Sequence, residues 1–109
     1  MKIYIIGSTA LRSKIQQHAA KLLSEGHEPL IPCFDSDKST VLDILTCNRE
    51  LIELADEVHL IYDGRSYGSI FDFGMCFALR KPLKIIYISP KSIVDGMREY
   101  EGHCKEMGI

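Results

Sequence analysis

The chain has 109 residues and a formal net charge of −2. That length fits a single domain, 1–109, with a core of modest size. It carries no basic run or stripe, which argues against nucleic-acid binding by phosphate neutralisation, and no apolar stretch near the roughly 18 residues that a membrane span needs.

In chain order, "KIYIIG" (Lys2 to Gly7) is nearly all apolar and β-branched, which suits a strand covered on both faces rather than a truncated leader. "LRSKIQQHAAKLLSEG" follows, with Leu11, Ile15, Ala19, Leu22 and Leu23 at helical spacing and Gly26 at the C-cap. "HEPLIPCF" is a weaker second strand whose two prolines favour an edge. "DSDKST" is a loop with several possible N-caps. The next helix runs from about Val41 to Ala55, with Leu42, Leu45, Leu51, Ile52 and Ala55 as its stripe. "EVHLIYD" is the third strand, "GRSYGSI" a loop, "FDFGMCFALR" a helix, "PLKIIYIS" the fourth strand and "KSIVDGMREYEGHCKEMG" a final helix with a weak spot at Gly96.

Strands alternating with helices predict a parallel sheet with helices on both faces. Right-handed crossovers leave few topologies. The reading favoured here is a small α/β doubly wound sheet of about four strands, Rossmann- or flavodoxin-like, in the order 2-1-3-4. Ligands of such sheets sit beyond the carboxyl ends of the strands, where the strand order reverses. That places the loops after the first and third strands, "GSTA" and "DGRSYGS", at one crevice.

Several residues there could carry chemistry. Gly7, Ser8 and Thr9 open a helix, where glycine admits close approach and the hydroxyls either cap the helix or bind a ligand. Asp63 and Gly64 end the third strand. Arg65 could meet a phosphate, or simply be exposed. Gly68 and Ser69 precede Asp72, and Ser69-x-x-Asp72 matches a capping box in outline, with the acid in the first helical turn. Capping does not explain Gly74, which costs about 1 kcal/mol relative to alanine inside a helix. It suggests close packing, or room beside a carboxylate. Asp72 could attack an anomeric carbon or hold ribose hydroxyls. His18 and His27 read as solvent-facing, and His59 as a core or interface histidine. Phe71, Phe73 and Phe77 read as core or subunit interface. Cys33, Cys47, Cys76 and Cys104 are irregularly spaced, without a C-x-x-C pair, and read as free thiols of a cytoplasmic protein without a metal site.

Three stretches, "KIYIIG", "NRELIELADEVHLIYDG" and "YGSIFDFGMCFALRKP", together resemble the nucleoside 2-deoxyribosyltransferase family and the related deoxynucleoside monophosphate glycosidases. The last is the specific one: Gly68, Ser69, Asp72, Gly74, Ala78 and Lys81-Pro82 keep the spacing of G-T-x-x-E-x-G-x-A-x-A-x-G-K-P. The resemblance makes Asp72 the counterpart of the family's nucleophilic Glu. It puts Asn48 where the family has an Asp on the preceding helix, and Ser66 where it has an Asp before the Gly-Ser/Thr step. Tyr4 matches a strand tyrosine. The expected function is cleavage or transfer of an N-glycosidic bond of a nucleoside or nucleotide, with Asp72 and Asp63 catalytic. Gly7, Ser8, Thr9, Asn48, Gly64, Arg65, Ser66, Gly68 and Ser69 are expected to bind substrate. No cofactor is implied, and a homodimer or higher homo-oligomer is expected. The alternative is a catalytically depleted module that binds a nucleotide-like ligand.

Overall fold

A computed structural model describes residues 1–33, 40–89 and 93–108. Its strands are β1 (Lys2–Ile6), β2 (Glu28–Leu30), β3 (Glu57–Tyr62) and β4 (Leu83–Ile88). Its helices are α1 (Arg12–Ser24), entered through a 3-10 turn at Thr9–Leu11, then α2 (Val41–Leu54), α3 (Tyr67–Ala78) and α4 (Ile93–Met107). All strands are parallel and the order is β2-β1-β3-β4, as the alternating pattern predicts.

Side chains alternate across the strands and build two cores. Tyr4, Ile6, Val58 and Leu60 pack with Ile52 of α2 and Cys76 of α3 on one face. Ile3, Ile5 and Ile61 pack with Ile15 and Leu22 of α1 on the other. β2 is an edge strand, shorter than expected because Pro29 and Pro32 limit its ladder. The last residue of the expected second strand and most of the expected loop before α2, together residues 34–39, lie outside the described residues. Thr40 does cap α2, in a capping box with Asp43.

Helix ends follow local chemistry. Gly26, at φ 86°, ends α1, with the His27 N–H on the Leu22 carbonyl and the Gly26 N–H on the Leu23 carbonyl. α2 is closed from a distance: Lys81 Nζ donates to the carbonyls of Glu53 and Ala55 at 3.0 and 2.9 Å. Lys81 thereby satisfies acceptors that a helix end leaves open.

Some expected core positions lie outside it. Leu23 and Leu42 are exposed, because the stripes of α1 and α2 are narrower than their leucine content suggests. Phe71 and Phe77 are also exposed on the outer side of α3, so they form no part of this chain's core. Gly74 shares that open side, and a Cβ there would meet nothing within 4 Å. The expected close packing at Gly74 is therefore not found. β4 contains a bulge opposite Leu60 and Ile61: Leu60 pairs with Ile85 and Ile61 with Tyr87. Among the described residues no helix is long and apolar enough to cross a membrane.

Candidate functional site

α3 begins earlier than the sequence pattern suggests, at Tyr67, because Ser66 is its N-cap and accepts from the Ser69 N–H. The expected capping box of Ser69 and Asp72 is therefore not formed. Asp72 lies in the second turn, and the reason for its presence is not helix capping. It is 4% exposed, on the inner side of α3.

Asp72 meets two donors. The hydroxyl of Tyr4, which is fully buried in the middle of β1, donates to Oδ2 at 3.0 Å. Asn48 Nδ2 lies 3.4 Å from the same oxygen. The other oxygen, Oδ1, is buried with no hydrogen-bond partner among the described residues, and so is Ser69 Oγ. An unmet buried acceptor is costly, and such groups in a folded protein call for a ligand, water or ion to complete them.

Both residues line a cleft of about 280 Å³ at the carboxyl ends of β1 and β3. One wall is Gly7, Ser8 and Thr9; another is Ser66, Gly68 and Ser69; Pro32, Cys33 and the α2 residues Ile44, Leu45 and Asn48 close a third. The cleft thus combines an apolar side with convergent hydroxyls and one carboxylate, the usual make-up of a small-molecule site. Gly7 has a packing reason of its own: a Cβ there would sit 2.5 Å from Ile15 Cδ1 and 3.3 Å from the Ile61 carbonyl oxygen.

Burial pushes the Asp72 carboxyl up to about 6, against the opposing pull of the Tyr4 and Asn48 hydrogen bonds. Tyr4 is raised as well, by burial and then by the adjacent Asp72, so it stays a hydroxyl and a donor. A carboxylate near 6 is ionised at neutral pH yet remains basic.

Asp63, expected as a second catalytic carboxylate, has both oxygens occupied. Oδ1 accepts from the N–H groups of Arg65 and Ser66 at 2.9 and 2.8 Å, and Oδ2 from Ser8 Oγ at 3.0 Å. Burial, which would raise it, is outweighed by the Arg65, Ser66 and Ser8 donors, and its pKa falls below the ordinary value. Asp63 ties the loop after β1 to the loop after β3 and is not among the cleft-lining residues. Gly64, at φ 79°, supplies the left-handed turn that brings the Arg65 and Ser66 N–H groups back to Asp63. Arg65 is exposed and likewise does not line the cleft. The structure thus gathers Gly7, Ser8, Thr9, Asn48, Ser66, Gly68, Ser69 and Asp72 in one place, and sets Asp63, Gly64 and Arg65 behind it.

Tyr4 was legible only as a strand tyrosine. Its signal is that a buried phenol needs a hydrogen-bond partner. Two further readings change. His18 is half-buried, and its Nε2 lies 2.7 Å from His59 Nδ1, whose other nitrogen is 2.8 Å from Glu57 Oε2. Cys33 and Cys47 are not free thiols; they form a disulfide with Cα atoms 6.2 Å apart. The fold brings the chain after β2 against α2, a proximity their sequence separation of 14 does not announce. Cys76 and Cys104 are free.

No family model and no curated protein sequence matches the chain. Two solved structures share its fold. The 2-deoxyribosyltransferase of the psychrotolerant bacterium Bacillus psychrosaccharolyticus superposes with a TM-score of 0.65 at 17% identity, over 84% of this chain and 76% of that one. The CMP N-glycosidase BcmB of Clostridium botulinum gives 0.63 at 13% identity, over 91% and 81%.

Proposed function

We propose that this protein is a divergent member of the nucleoside 2-deoxyribosyltransferase family, cleaving or transferring the N-glycosidic bond of a nucleoside or nucleotide. The observation that carries this reading is Asp72: a buried carboxylate in the cleft with one oxygen held and the other free. The fold shared with a deoxyribosyltransferase and a nucleotide N-glycosidase supports it, as does the sequence pattern around Gly68 and Lys81-Pro82.

In this reading Asp72 Oδ1 attacks the anomeric carbon as the bond to the base breaks, and the departing base takes a proton from solvent water. The product is a glycosyl ester on Asp72. Water, or a second base, then attacks the same carbon and restores the carboxylate. Tyr4 and Asn48 fix the orientation of the carboxylate through Oδ2, so that its free oxygen faces the substrate. Ser69, Ser66, Ser8 and Thr9 offer hydroxyls to the sugar or to a phosphate, and Gly68 leaves its approach open. Asp63 holds the two loops in register, and we assign it no proton transfer.

Asp72 is one methylene shorter than the family's Glu, and Asn48 cannot transfer a proton. These two features favour the second reading, a nucleotide-binding module without turnover. One assay separates the two. Purified protein is incubated with a panel of nucleosides and nucleoside monophosphates, with and without a second free base, and bases are resolved by chromatography. The enzyme reading expects released or exchanged base that is lost in Asp72→Ala. Thermal stabilisation by one panel member without product supports the module.

The same reading includes two further expectations. The exposed Phe71 and Phe77, with the apolar groove between α3 and β4, are covered in a homodimer or higher homo-oligomer. The protein works in the cytoplasm, alongside its nucleotide substrates. Light scattering and fractionation test these.

A further inference from the structure

The Cys33–Cys47 bridge lies beside the candidate site, and one residue connects the two. Asn48 follows Cys47 on α2. Its Oδ1 accepts from the Cys33 N–H at 2.8 Å, while its Nδ2 points at Asp72 Oδ2 at 3.4 Å. The amide of Asn48 is thus oriented from behind: with Oδ1 committed to Cys33, only the NH₂ side can face the carboxylate. Cys33 itself lines the cleft.

Cys33 is held to α2 by the bridge and by its N–H bond to Asn48. β2 ends at Leu30, so Cys33 lies beyond the ladder, and the covalent link to Cys47 keeps its N–H within reach of Asn48. Both cysteines are half-buried rather than sealed in, so a small thiol can reach them.

We propose that the Cys33–Cys47 bridge is a reversible positioning device for Asp72, acting through Asn48. A dithiol reduces it by attacking one sulfur and then closing its own disulfide. Two electrons and two protons pass to the protein, leaving two cysteine thiols and a cyclic disulfide of the reductant. Cys33 then separates from α2, Asn48 loses the bond that orients it, and Asp72 keeps only Tyr4 as a donor. Oxidation reverses each step. Cys33, Cys47 and Asn48 are positioning residues, since none exchanges atoms with a substrate. The effect on turnover rests on the glycosidic reading above; the coupling to Asp72 does not.

The test needs no substrate. Full-length protein labelled with carboxyl-¹³C aspartate is titrated by NMR after air oxidation and after reduction with dithiothreitol. The expected result is an upward shift of the Asp72 midpoint on reduction, on the order of half a pH unit for the loss of one weak donor. The paired variant Cys33→Ser, Cys47→Ser should titrate like the reduced protein under both conditions. In Asn48→Ala the midpoint should no longer respond to dithiothreitol, whereas a general loosening of the fold would still move it. Equal Asp72 midpoints in the oxidised and reduced protein would overturn the proposal. So would alkylation of Cys33 and Cys47 by iodoacetamide in the oxidised, folded protein. Base release assayed on the same samples then tells whether the coupling controls catalysis.

Discussion

Tyr4 and Asp72 are 68 residues apart in sequence, yet the hydroxyl of one donates to the carboxylate of the other inside the core, 3.0 Å apart. This bond joins the central strand to the helix that carries the candidate nucleophile. Removing the hydroxyl in Tyr4→Phe leaves Asp72 Oδ2 with only the longer Asn48 contact. The variant should lose about 1–3 kcal/mol of stability above pH 6, where the carboxylate is charged, and less at pH 5. Its Asp72 midpoint should rise further. Urea unfolding at pH 5 and pH 8 checks the first expectation, and NMR titration the second.

Asp72 also sets a pH dependence. Its folded pKa, about 6, lies above the ordinary carboxylate value, so the folded state holds a proton that the unfolded chain has released. The contribution of Asp72 is therefore fully present below about pH 4 and is lost as pH rises through 6. At pH 8 the charged, buried carboxylate costs on the order of 2–3 kcal/mol. Asp72→Asn should recover much of this at pH 8, little at pH 4, and show no turnover. A variant that is more stable and inactive is the expected mark of a site held against stability. Equal stability of the two proteins at pH 8 would count against the buried charge.

On the acid side the opposite sign comes from His18. Its pKa is lowered by burial first, then by His59 and Lys21, with smaller effects from Glu25 and Lys84. The unfolded chain then takes up a proton at a higher pH than the folded one does. The stability that His18 provides is present above about 6.5 and is lost as pH falls through its lowered pKa. With His59 donating to Glu57, the His59 Nδ1 accepts from His18, and a glutamine at position 18 can still donate there. His18→Gln should therefore flatten the decline below pH 6.5. Thermal unfolding from pH 7 to 5 measures it.

Lys81 closes α2 through two carbonyls, and its place in the sequence motif has this structural cause. Lys81→Met keeps the stem and removes the donors. It should cost about 1–2 kcal/mol by leaving helix-end carbonyls unmet, with base release per folded molecule unchanged. Denaturant unfolding and an activity assay on the same sample distinguish this from a role in catalysis.

The sheet order and the position of the cleft were legible because they depend on hydrophobic period and crossover handedness, both written locally along the chain. The start of α3 was not. Ser66 and Ser69 are both serines with a polar residue three positions on, and local rules cannot choose between them. The structure uses Ser66, and Asp72 is then free of the capping role and bonded to Tyr4 instead. The phenylalanines misled for a related reason: apolar spacing marks a face but does not say whether this chain covers it. The Cys33–Cys47 pair and the His18–His59 pair each join segments from different elements, and no pattern within either segment signals its partner.

The bulge in β4 has a consequence for reading this strand. Strict alternation from Leu83 and Ile85 would send Tyr87 to the same side. Because Ile86 is the extra residue, Tyr87 instead joins Ile61 facing α1, and Ile88 takes the place beside Tyr62 on the α3 side. β4 therefore changes phase in its middle, and its two halves obey different odd–even rules. An ungapped comparison with a relative whose strand lacks the bulge will pair residues of opposite faces from position 87 on. Deleting Ile86 would restore strict alternation while leaving Tyr87 beside Ile61 and Ile88 beside Tyr62.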